Sequence, residues 1–142
     1  MFTAAVLASL VAADLNEAAK KELKAVEGDW IVVSWVVNGE ARELPADEQV
    51  PVTIQGTKFS FGKFGDGEIT SLDPSTDPKI LDFKMLRKPP SGVTNEAIFK
   101  VEKEALVVVV YLGEGNNRPT RFDAAEKKDS NNAKLVLKRT KK

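Results

Sequence analysis

The chain has 142 residues, enough for one domain with a real core and too few for two comfortable ones. Lys plus Arg equals Asp plus Glu at 21 each, so no net charge draws it to nucleic acid or to an anionic membrane surface. Cys and His are both absent, which excludes disulfides, thiol nucleophiles and a Ser-His-Asp triad and removes the commonest zinc ligand. Carboxylates, Lys and Tyr can still do acid–base work, so catalysis is disfavoured, not excluded.

Residues 1–13, "MFTAAVLASLVAA", are apolar and uncharged. The run is too short to cross a bilayer as a helix, which takes about 20 residues. Small residues at Val11-Ala12-Ala13 suit a signal peptidase cutting before Asp14, although no basic residue follows Met1. The expectation is a leader over 1–13 and a mature domain over 14–142, exported to periplasm, envelope or medium. An apolar helix packed on the domain is the alternative.

Residues 14–28, "DLNEAAKKELKAVEG", read as a short helix. Asp14 and Glu17 have capping-box spacing, and Leu15, Ala19, Leu23 and Val26 form an apolar stripe. Gly28 is placed to end it. From Trp30 onward helical signals nearly vanish. Strands are predicted at 30–37, 41–44, 50–55, 58–61, 68–72, 79–86, 94–102, 105–112, 120–122 and 133–139. Asn38-Gly39, Gly56-Thr57 and Lys103-Glu104 are the hairpin turns. Residues 44–49 are a turn or one helical turn, and the five C-terminal residues "KRTKK" are a solvated basic tail. About eight to ten short strands with a turn every ~8–12 residues predict an all-β sandwich or antiparallel barrel. "WIVVSWVV" and "LVVVVYL" are apolar on both faces and need outside cover, from the helix or from a partner subunit, unless Val is simply exposed there.

Gly28-Asp29-Trp30, after a short helix and at the head of the first strand, resembles the opening motif of the lipocalins. "GDWIVVSWVVNGE", "LDPSTDPKILDF", "NEAIFKVEKEALVVVV", "NNRPTRF" and "LVLKR" follow in order the pattern of a bacterial lipocalin-like domain family, abundant in planctomycetes, to which no function is attached. The match covers about residues 25–140, and 77–83 with 118–122 are its most specific parts. Members often carry a Cys in the strand matching 105–112; this chain has none. The resemblance implies a small antiparallel up-and-down β-barrel of about eight strands with a short N-terminal helix. It also implies that Trp30 closes one end, under a cation–π contact from Arg139 or Lys138 on the last strand.

Alternation from Trp30 points Val32, Ser34 and Val36 into such a barrel and Trp35 outward, under the helix stripe or in an interaction patch. Phe59, Phe61, Phe64, Phe83 and Phe99 could fill the interior. The loop "EGNNRPTRF" gathers Asn116, Asn117, Arg118, Arg121 and Phe122. Arg can grip a carboxylate or phosphate of a ligand there, or one Arg pairs with an acidic neighbour such as Asp82 or Glu114. Asp66, Glu68, Asp73, Asp77 and Asp82 lack EF-hand spacing and read as turn chemistry, neither a calcium site nor a glycosidase pair, so no metal and no cofactor is expected. The expected function is non-enzymatic binding of a small apolar molecule in the barrel by Val32, Ser34, Val36, Arg118, Arg121 and Phe122, with Gly28, Trp30 and Arg139 structural. An envelope or protein-interaction domain with a packed interior is the alternative. In either case the chain is expected to be a monomer or weak homodimer, without stable membrane insertion.

Overall fold

The computed structural model describes residues 15–86, 94–113 and 117–140. The expected leader, Asp14, Glu114 and Asn116 lie outside them. One helix, α1 (Glu17–Val26), precedes nine strands: β1 (Gly28–Val37), β2 (Glu40–Glu43), β3 (Val50–Gln55), β4 (Lys58–Phe61), β5 (Asp66–Asp73), β6 (Lys79–Met85), β7 (Asn95–Glu102), β8 (Ala105–Tyr111) and β9 (Asn132–Arg139). Every pairing is antiparallel. The sheet runs β1-β3-β4-β5-β6-β7-β8-β9 and closes through β1–β9, an eight-stranded barrel with β2 as an extra strand. β1 is long enough to serve both: Gly28–Val32 pair with β3 and Ser34–Val37 with β2 on the same edge.

The turns form where the sequence places them. Asn38 and Gly39 take φ of 49° and 86°, the positive pair that a tight two-residue hairpin demands. Thr120–Phe122, predicted as a strand, is loop. The helix begins later than Asp14 would set it, because Asn16 is its N-cap and accepts from Ala19 N at 2.8 Å.

The second half of β1 departs from simple alternation. In the β1–β9 ladder Val32 faces Leu137 but Ser34 faces Val136, leaving Val33 as one extra residue. That bulge moves the following side chains to the opposite faces. Trp30 and Val32 point inward as expected, but beyond Val33 it is Trp35 and Val37 that pack on the interior core. Ser34 and Val36 turn outward, and Val36 joins a separate outer cluster. The expected inward set Val32, Ser34, Val36 is therefore corrected to Trp30, Val32, Trp35, Val37.

The outside cover is also not the expected one. The stripe Ala19, Leu23, Val26 packs on the interior core beside Trp30 and closes one end of the barrel. Lys79 Nζ to Glu22 Oε2, 2.9 Å, and Gly56 N donating to Glu27 Oε2, 2.8 Å, fasten the helix region there. The outward apolar row formed in register by Val36, Val109 and Ile98 is covered by this chain's own 117–131 loop through Phe122, Ala124 and the fully buried Ala125, with no partner subunit needed.

Candidate functional site

The barrel encloses a cavity of about 80 Å³ whose wall is entirely apolar. β3 contributes Val52 and Ile54, β4 Phe59 and Phe61, β5 Ile69, β6 Leu81 and Phe83, β8 Leu106 and Val108, and β9 Leu135 and Leu137. A second bulge, at Thr70, keeps Ile69 and Leu72 both on the inner face opposite Phe83 and Leu81. Phe59 and Phe83 meet edge to face with ring centroids 5.7 Å apart. Phe59 also lies flat over Gly67, its cross-strand partner, where any β-carbon would overlap the ring. The cavity exists at this position because glycine lets one aromatic wall fold down onto the sheet. It lacks any hydrogen-bonding partner in its wall, so a polar guest would lose its hydration without replacement.

Trp30, 1% exposed, closes the helix end. Its indole N–H donates to Val26 O at 2.8 Å, satisfying one of the carbonyls that the end of α1 leaves open. The Arg139 guanidinium lies 4.2 Å from the centre of the Trp30 ring and donates to Glu27 O (2.8 Å) and Ala25 O (2.7 Å). A cation therefore sits at the helix C-terminus, where the peptide dipoles favour it. Gly28 carries φ of 125°, and a β-carbon there would come within 2.7 Å of the Arg139 guanidinium. Of the two basic candidates on the last strand, Arg139 makes the contact and Lys138 is exposed.

The three loop candidates do not meet Val32. Arg118, Arg121 and Phe122 lie on the outer-face loop, away from the interior. Arg118 is already engaged: it donates to Asp82 Oδ1 at 2.6 Å and Ala97 O at 3.0 Å, with Glu96 Oε2 at 3.5 Å. Asp82 and Glu96 stand directly opposite each other on β6 and β7, a like-charge pairing that Arg118 neutralises. The expected Arg–acid pair is thus present with Asp82; Glu96 could be found only from the strand register. Arg121 is exposed and pairs with Asp123 at 2.9 Å, beside a shallow polar groove that includes Thr120, Lys127 and Ser130. Phe122 lies under Lys100 Nζ, 4.6 Å from its ring centre.

The acidic residues between 66 and 82 are dispersed, Glu68 pairing with Lys58 and Asp82 with Arg118. The Asp73 carboxyl is held below the usual carboxylate range by the Ser75 hydroxyl and then by the Ser75 backbone N–H, both donating to Oδ1. Among the described residues no three Asp or Glu lie close enough to hold a metal ion, and no helix is long and apolar enough to cross a membrane. No protein-family model, no curated protein and no solved structure matches this chain.

Proposed function

We propose that this chain is a non-enzymatic, lipocalin-like binding domain whose barrel takes one small apolar molecule. The all-apolar cavity between Phe59, Phe83 and Leu135 is the observation that carries this reading. Its chemistry selects an uncharged guest with no hydrogen-bonding groups. Its volume of about 80 Å³ is close to half of the ~150 Å³ that admits benzene in an apolar core, so the guest has only a few heavy atoms. Anything larger needs the Phe59–Phe83 contact to open. Export rests on the apolar 1–13 stretch with cleavage before Asp14, and the mass of the chain recovered from its host reads that directly.

A second reading is a packed barrel acting through its surface. It is favoured by the same small volume, well under the ~300–1,000 Å³ of ordinary ligand sites, and by three exposed large apolar side chains, Phe64, Leu86 and Leu112, at the end opposite the helix. A methyl-resolved NMR titration separates the two. In the first reading dichloromethane shifts Ile69, Leu81 and Leu135 saturably, while benzene does so only after Phe83→Ala. In the second, neither solute moves an interior methyl in either protein.

A further inference from the structure

The geometry points to Phe64 as the leaf of a gate through which the guest enters and leaves, an inference that rests on the interior-binding reading above. The helix end of the barrel is shut by Trp30, by Arg139 over it and by the apolar stripe of α1. The side walls are hydrogen-bonded ladders around the full circle. Exchange therefore runs through the opposite end, where β4 hands over to β5. Phe61 there lines the cavity, and Phe64, three residues on, rests against it with ring centroids 5.2 Å apart. Phe64 is 52% exposed, an unusual position for a large aromatic in a chain that buries Phe99 almost completely. One ring thus faces solvent while touching another that faces the cavity.

The turn that carries Phe64 is bounded by glycines with positive φ, 49° at Gly62 and 106° at Gly65. Gly62 passes so close to Val50 that a β-carbon would lie 2.8 Å from its Cγ1, so the turn hugs the rim instead of standing off it. Phe61 N donates to Gly65 O at 2.8 Å and Gly65 N to Gly62 O at 3.4 Å, which leaves the Phe61 backbone held by the turn while the Phe64 ring projects. Swinging Phe64 away costs one ring–ring contact and breaks neither of these bonds. The same rim carries Leu86, whose N–H donates to Asp66 O at 2.9 Å, and Leu112 on the far side of the end.

The test is xenon exchange, measured by ¹²⁹Xe NMR on the whole chain, because xenon enters apolar cavities that reject water. Removing the Phe64 ring in Phe64→Ala should speed exchange about five- to tenfold with affinity held within about twofold, as loss of one aromatic contact from the opening barrier requires. Leu112→Ala, on the same rim but not touching Phe61, should exchange like the wild type. Equal rates in Phe64→Ala and wild type would overturn the gate while leaving interior binding intact, as would an equal acceleration in Leu112→Ala. Absence of saturable xenon in wild type and in Phe64→Ala would overturn interior binding and the gate with it.

Discussion

Replacing Arg139 by Ala tests how the barrel is locked at the helix end. The variant keeps the backbone bond from Arg139 N to Glu104 O, so the ladder between β9 and the β7–β8 turn survives. It loses a half-buried charged bond to Glu27 O, an exposed one to Ala25 O and the cation over Trp30. With ~1–1.5 kcal/mol for the first, a few tenths for the second and ~1 kcal/mol for the third, the loss is about 2–3 kcal/mol. For a chain of this size that lowers Tm by roughly 10 °C. Arg139→Lys keeps a charge over the ring but cannot reach both carbonyls with a planar fork, so it should lose about half as much. The assay is equilibrium urea unfolding followed by tryptophan fluorescence, with Trp30→Phe completing a double-mutant cycle whose coupling should be ~1 kcal/mol. A loss under ~0.5 kcal/mol for Arg139→Ala, or no coupling to Trp30, would refute the lock.

Four further outcomes follow from the geometry. Trp30→Ala should lose about 3–5 kcal/mol, the usual cost of emptying a core aromatic site, read by the same melts. Arg118→Ala should lose about 2 kcal/mol by leaving Asp82 and Glu96 facing each other, and the loss should shrink in an Asp82→Asn background; equal losses in the two backgrounds would contradict the clamp. Gly67→Ala should cost ~1–3 kcal/mol by driving the Phe59 ring off the sheet, visible as shifted Phe59 and Phe83 ring resonances. Ser75→Ala should raise the Asp73 pKa toward the ordinary carboxylate range in a carboxyl NMR titration. Because that pKa is lowered in the folded chain, its stabilising contribution is present above the unfolded value of 3.8 and fades as pH falls below it, so the variant and wild type should converge in acid.

The barrel was legible in the chain because its turns are chemically marked: Asn38-Gly39, Gly56-Thr57 and Lys103-Glu104 sit between runs of β-formers, and Gly28-x-Trp30 with Arg139 names both ends of one closing seam. The Val33 bulge was not. "WIVVSWVV" is β-forming at nearly every position on both faces, so a one-residue slip leaves no mark in the pattern, yet it decides that Trp35 points in and Ser34 and Val36 point out. Thr120–Phe122 misled for a related reason. Phe122 is apolar because it covers Ile98 and Val109 from outside, and burial under a loop reads like burial in a strand. The cavity wall depends on which residues face each other across strands. Gly67 under Phe59 and Glu96 beside Asp82 become visible only with the register in hand.

The most direct measurement of interior binding is the anomalous scattering of a crystal held under xenon pressure. Binding in the barrel predicts one strong peak between Phe59, Phe83 and Leu135. A crystal with no peak inside the barrel, and xenon only at the exposed rim of Phe64, Leu86 and Leu112, would contradict it and leave a packed barrel that works through its surface.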